Sequence, residues 1–441
     1  MTELKTDHSQ SQQSGLQTDH SQAQLAGAHG HGPAPKGAHG VAAPPVGSRA
    51  ERLTSFDLAD IPVPTGREEE WRFTPSHKFD NLFQPTSTAG AYEITFEGDV
   101  LVEPVLREIA ARPGAAAPQS TGYYIVENGV PGDDPRFGKC GKPGDRTAVA
   151  AWHAADKGSI ITLPAKADIG EHLMVRVAGL SQQTPGALKL LINAEPESSG
   201  VVVIDHTGST QLNETIEINA ETGSNLTVVS VQDWDNTAIH ASSHRAVLGE
   251  GATLKHVVVS FGGDAVRITP DAAFSGVDAN VEMLGLYFAD AGQHLEHRLF
   301  VDHGEPNCVS RVTYKGALQG QDAHAVWVGD VLIQANAVDT DTYEMNRNLI
   351  LTKGARADSV PNLEIETGEI VGAGHASATG RFDDEQLFYL MARGIPEHDA
   401  RLLVVRGFFA ELVGQIGVPE VEARLMQSIE QELSKSMGQT A

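Results

Sequence analysis

Side chains that can bind metal or attack a substrate are thinly spread along this chain. Cys140 lies in Lys139-Cys140-Gly141-Lys142, where two ammonium groups would lower a thiol pKa; an incidental loop cysteine is the simpler reading. Cys308 follows His303 across the turn Gly304-Glu305-Pro306-Asn307, so the two either share a metal or pack in a turn. In His294-Leu295-Glu296-His297, strand alternation puts His294 and Glu296 on one face and His297 on the other. Asp339, Asp341 and Glu344 offer oxygens that suit hard cations, but without calcium-loop spacing, and a polar turn explains them better. Asp205, Asp233, Asp235 and Asp264 are carboxylates of the kind that pair in polysaccharide cleavage, with nothing to select two of them.

The most distinctive segment runs from Pro361-Asn362-Leu363-Glu364-Ile365-Glu366 to Val371-Gly372-Ala373-Gly374-His375-Ala376-Ser377-Ala378-Thr379-Gly380. Glu364 and Glu366 share a strand face. His375 is bracketed by small residues that leave its ring open. A neutral imidazole there is a competent ligand for iron or zinc; a histidine capping the end of a β stack is the equal alternative. Several chemistries lack their motif. There is no GxxxxGK[ST] phosphate loop, so the chain has no nucleotide site of its own, and no GxSxG elbow or strand-following GxGxxG occurs.

Composition narrows the field further. The chain has 441 residues, 32 Lys plus Arg, 58 Asp plus Glu, a formal net charge of −26 and 2 cysteines. Two distant cysteines without a CxxC pair cannot form a self-contained zinc or iron–sulfur site. The acidity opposes nucleic-acid binding and docking on anionic lipid. No apolar run is long enough to span a membrane.

These residues need elements to hold them. Residues 1–47 read as a disordered His/Gly/Gln-rich tail whose five histidines (His8, His20, His29, His31, His39) could at most bind metal weakly. Residues 48–180 read as a small N-terminal α+β domain, with a strand at Ala91–Phe96, a helix over Val102–Ala110 and a loop over Asn128–Arg146. Residues 181–375 carry short apolar strands such as Leu188–Ile192, Val201–Ile204, Leu226–Val231 and Leu254–Val259. A phrase of turn, small residue and apolar alternation recurs at Ser224, Ala252 and Asp278 with a loose period in the twenties. That repeat favours a β-solenoid over a sandwich. Residues 376–441 read as a helical domain. One helix is capped by Asp383 or Asp384, a second starts at Pro396 and a third at Pro419.

Several of these segments together resemble one family. Pro361-x-Leu363-Glu364-Ile365, Val371, Gly374-His375-Ala376 and Gly380 are similar to the signature of the SufB/SufD family. So are Asp384-Glu385-x-Leu387-Phe388-Tyr389-Leu390-Met391-Ala392-Arg393-Gly394-Ile395, with Ala400 and Phe408 beyond it. Ser310-Arg311 with Tyr314-Lys315-Gly316-Ala317-Leu318, Asn346-x-Asn348-Leu349-Ile350-Leu351 and Glu69-Glu70-Trp71-Arg72-Phe73-Thr74-Pro75 fit as well. The resemblance implies a mainly β protein, a right-handed parallel β-helix with a C-terminal helical domain. It implies a non-catalytic cytoplasmic scaffold for iron–sulfur cluster assembly. SufB would pair through the β-helix, and the ATPase SufC would dock on the helical domain near Tyr389, Arg393, Gly394 and Phe408. An isolated chain could form a homodimer. His375 is implied as a ligand for iron or a nascent cluster shared with SufB. Ala373 stands where many members carry Cys, which, with only 2 cysteines in the chain, resembles the SufD branch and leaves the thiolates to the partner. The competing readings are a secreted-type β-helix polysaccharide lyase or hydrolase, and a solenoid adaptor with no cluster role.

Overall fold

The computed structural model describes residues 51–102, 122–382 and 384–437. The chain divides into Met1–Pro44 and Pro45–Ala441, and every described residue belongs to the second unit. The expected tail, residues 103–110 of the expected helix and the Asp383 cap lie outside the described residues.

The body is a β-solenoid of eight coils, each contributing one strand to each of two sheets. One sheet holds β4 (Lys157–Leu163), β6 (Pro185–Ala194), β8 (Gln211–Ala220), β10 (Ile239–Leu248), β12 (Ala265–Phe274), β14 (His294–His303), β16 (His324–Ile333) and β18 (Arg356–Ile365). The other holds β5 (Asp168–Gly179), β7 (Ser199–Gly208), β9 (Asn225–Trp234), β11 (Thr253–Ser260), β13 (Asn280–Ala289), β15 (Val309–Leu318), β17 (Thr340–Ile350) and β19 (Ile370–Arg381). Coils pair in parallel and in register, so equivalent positions stack in columns. Leu226, Leu254, Val281, Ser310, Thr342 and Ala373 form one such inward column. At the N-terminal end β1 (Tyr92–Glu97) pairs antiparallel with β5. Beside β2 (Val100–Val102), β3 (Tyr124–Pro131) pairs antiparallel with β4. The expected Asn128–Arg146 loop thus yields its first residues to β3, because β4 offers them an edge to pair with.

The recurrent phrase in the sequence has a geometric cause. Lys166, Glu197, Asp278, Asn307 and Asp339 all have φ between 57° and 63°, with Gly223 and Gly251 at 66° and 64°. Each turns the chain from one sheet to the other. The next residue is small and fully inside the corner: Ala167, Ser198, Ser224, Ala252, Ala279, Cys308 and Thr340 are all buried. A larger side chain there would push the stacked corners apart.

Both outer faces are covered, which is why the strands read as apolar runs rather than clean alternation. Helices α3 (Glu397–Val413) and α4 (Pro419–Met437) lay Val405, Phe409, Leu412, Leu425 and Ile429 on Val229, Val257, Val259, Leu284 and Phe288. Arg424 fastens α4 to Asp205 at 2.6 Å and to Asp233 at 3.2 Å. On the opposite sheet Trp71, Phe79, Leu82 and Phe83 pack on Ile239, Ala241 and Ala265. Helix α1 (Arg146–Ala154), capped by the Asp145 carboxylate accepting from the Ala148 amide, lies alongside them. Glu296, wholly buried, accepts from Thr74 at 2.6 Å and pairs with Arg267. Among the described residues no helix is long and apolar enough to cross a membrane.

Candidate functional site

The solenoid does not end as it began. β18 and β19 are the last strands of their sheets, each paired on one side only. Not one of their residues is buried, whereas nine of the ten residues of β16 are. Val371 is 70 % exposed and Ile365 44 %. Two open edges with unpaired amides and carbonyls are a template for another strand.

His375 sits on β19 at this end, its side chain 45 % exposed, in register with Glu344 on β17. Gly374 beside it lies against the Tyr343 ring. Glu344 points into the lumen and is completely buried, with no side-chain hydrogen-bond donor for either carboxylate oxygen. Its Oε1 is 3.8 Å from His375 Nδ1. Burial, with nearby Asp330 adding to it, pushes the carboxyl up to about 8. An orphaned buried carboxyl next to an open imidazole is a donor set that suits a borderline divalent cation.

A second surface lies on the helices. In α2 (Asp384–Ala392) Phe388, Tyr389 and Met391 are 72 %, 55 % and 42 % exposed, with Leu403 of α3 at 49 %. The Arg393 guanidinium lies 4.5 Å from the Tyr389 ring centroid. Gly394 ends the helix at φ 87°, a backbone state that favours glycine. These neighbours form an exposed aromatic and cationic patch. Phe408 stands apart from it: half-buried, it packs among the sheet-covering side chains and gives its carbonyl to Lys315 Nζ at 3.1 Å.

The lumen holds a third cluster that sequence reasoning missed. His206, Glu214 and His240 place one ligand atom each within 4.8 Å of one another, close enough to hold a metal ion. Their hydrogen bonds describe an ion pair. His206 Nδ1 donates to the Val231 carbonyl at 2.9 Å, leaving Nε2 toward Glu214 Oε1 at 3.1 Å. The Glu214 carboxylate raises the His206 pKa against its burial, and Glu214 is held well below the usual carboxylate range by its histidines. Trp234 Nε1 can only donate, and it donates to His240 Nδ1 at 3.1 Å. That fixes the His240 proton on Nε2, beside Glu214 Oε2 at 3.2 Å. A metal would need that tautomer reversed. The signal was available only in three dimensions, since the residues come from three strands.

The remaining candidates have other occupations. Cys140 is buried and its thiol is pushed up to about 12 by desolvation, so the flanking lysines do not yield a thiolate. Cys308 fills a corner and donates to the Gly276 and Pro306 carbonyls at 3.4 Å, while His303 meets Ser310 at 2.9 Å. His294 and Glu296 do share the outer face, at 3.1 Å, and His297 faces inward to Ser260. Asp205 and Asp233 hold Arg424, and Asp264 holds Lys78 at 2.7 Å. Asp341 pairs with Arg311 at 2.5 Å, and Asp339 turns a corner. β18 stops at Ile365, so Glu366 lies past the strand and accepts from the Ala335 amide at 3.2 Å.

Residues 178–408 match the family model described as the SUF system FeS cluster assembly, SufBD core domain. An iron–sulfur cluster assembly SufBD family protein of Mycobacterium tuberculosis is 47 % identical over 393 residues, covering 88 % of this chain and 93 % of its own. A Mycobacterium leprae protein of the same description is 45 % identical over 393 residues, covering 88 % and 95 %. The iron–sulfur cluster assembly protein SufD of Escherichia coli is 26 % identical over 395 residues, covering 84 % and 89 %.

Proposed function

Since the chain belongs to the SufB/SufD family of the SUF iron–sulfur cluster assembly system, we propose that it is a SufD-type cytoplasmic scaffold subunit without catalysis of its own. The observation that carries this reading is the open end of the solenoid. β18 and β19 leave both sheets unfinished at one place, and His375 stands there half in solvent. A partner of the same architecture can continue both sheets across the seam, as edge strands do in β-augmentation. We identify that partner as SufB. His375 then faces the seam, where it offers a nitrogen to iron or a nascent cluster, the cargo of the assembly.

The cysteine count supports a division of labour with that partner. Both thiols are buried and neither lies on β18 or β19, and an iron–sulfur cluster takes mainly thiolate ligands. SufB must bring them. The exposed patch of Phe388, Tyr389 and Arg393 is the dock for the ATPase SufC, since exposed aromatics and Arg are the usual anchors of an interface. The dock helix packs through Leu387 and Leu390 on Ala400 and Val404 of α3, which in turn lies on the outside of the solenoid.

Hydrogen exchange tests the pairing. On mixing the full chain with SufB, amides within 356–381 gain protection while those of the buried coils do not change. Protection elsewhere with none at β18 or β19 would refute the seam.

A further inference from the structure

We propose that Glu344 is the carboxylate ligand beside His375, so that the last coils present a half-site of one imidazole nitrogen and one carboxylate oxygen for a divalent first-row transition cation such as Fe²⁺. This rests on the reading of His375 as a ligand and adds a second residue to it. The column that contains Glu344 runs Val228, His256, Met283, Val312, Glu344, His375. A carboxylate enters it only at the coil next to the open end. The opposite sheet makes room for that carboxylate. A Cβ on Gly329 would lie 2.2 Å from Glu344 Oε2, so any other residue there would evict it.

Both oxygens are buried and neither has a side-chain hydrogen-bond donor, the Asn362 backbone being the one group that eases their burial. Such a group is costly to leave unmatched, and an ion is one of the few things that satisfies it. Two ligands of one cation, each about 2.1 Å from it, stand about 3.0–3.4 Å apart. The observed 3.8 Å closes to that range with a shift of about half an ångström. One nitrogen and one oxygen donor select borderline cations such as Fe²⁺, Co²⁺ or Zn²⁺ over Ca²⁺. His375 lies on the last strand of its sheet, where water or a partner's thiolates would complete the site.

The test titrates Co²⁺ alone, without oxygen, into the full-length protein, reading visible absorption and metal retained after desalting. The tail histidines contribute equally to every variant, so difference spectra isolate the site. Glu344→Gln is nearly isosteric and removes a buried acid, and a matching melting curve confirms its fold. Wild type minus Glu344→Gln is expected to show one equivalent of Co²⁺. Glu344→Gln and His375→Ala each weaken binding about tenfold or more, and the double variant loses no further site. Unchanged affinity in Glu344→Gln overturns the proposal. If His375→Ala alone weakens binding, Glu344 is not a ligand and the His375 reading survives; if neither does, both fail.

Discussion

Gly316→Ala adds a single methyl group to the lumen, and the structure says how much it should cost. Gly316 and Tyr287 lie opposite each other in register, as Gly285 and Tyr314 do. A Cβ on Gly316 would stand 1.8 Å from Tyr287 Cε2. Carbon atoms need about 3.5–4.0 Å, so the ring must retreat by roughly 2 Å. It has no free path. Tyr287 is completely buried, its ring stacks on His297 at 5.1 Å, and its hydroxyl donates to Asn348 at 2.6 Å and accepts from Asn346 at 2.9 Å. Overpacking costs about 1–3 kcal/mol, and two broken hydrogen bonds add about 1 kcal/mol each. The expected loss is about 4 kcal/mol, read by urea unfolding followed by circular dichroism. Gly407→Ala is the control. It lies exposed within α3 with no atom within 4 Å of an added Cβ, and should gain about 0.5–1 kcal/mol. Tyr287→Leu in the Gly316→Ala background should recover much of the loss through coupling. A loss below about 1 kcal/mol for Gly316→Ala would refute the interlocked ring–glycine packing of the lumen.

Lys189 is buried and its ammonium is lowered to about 8 by desolvation, although it donates to the Gly132 and Trp152 carbonyls. The unfolded chain binds that proton more tightly, so between pH 8 and the ordinary lysine value stability rises with pH. The wild type should gain on Lys189→Met by about 1.4 kcal/mol per pH unit from 8 to 9.5 and stay level with it below 8; a flat difference throughout would contradict the assignment. Glu217 accepts from the Gly138 amide at 2.8 Å and pairs with buried Arg245 at 3.2 Å. Glu217→Ala strands that guanidinium and should cost about 3–5 kcal/mol in an unfolding measurement. Tyr389→Ala should leave stability within about 0.5 kcal/mol and weaken SufC binding about thirtyfold, measured by calorimetry with the full chain; unchanged affinity would move the dock elsewhere.

Much of this was legible in one dimension. The corner phrase announced the solenoid because the left-handed turn and its small buried neighbour recur with each coil. The segment Tyr314-Lys315-Gly316 reads clearly in retrospect. Tyr314 fills the lumen over Gly285, Gly316 leaves room for Tyr287, and Lys315 points outward to Phe408 and Glu411. His375 was singled out by its small neighbours, and the structure puts it beside an exposed edge. Glu344 passed for part of a polar turn, since its neighbours Asp339 and Asp341 are turn and surface residues; only the register with His375 separates it from them. His206, Glu214 and His240 were invisible for the same reason, lying on three strands that meet only when the coils stack. Cys140 misled because its lysines promise an exposed thiolate, whereas folding buries the sulfur against Phe137 and Ile160.

On the proposed reading, this chain brings His375 to a seam where a cluster is assembled. The direct measurement is iron and acid-labile sulfide per complex after reconstitution of the co-purified assembly with SufB and SufC, wild type against His375→Ala. An intact complex with cluster content several-fold lower is expected. An intact complex with unchanged iron and sulfide would contradict it.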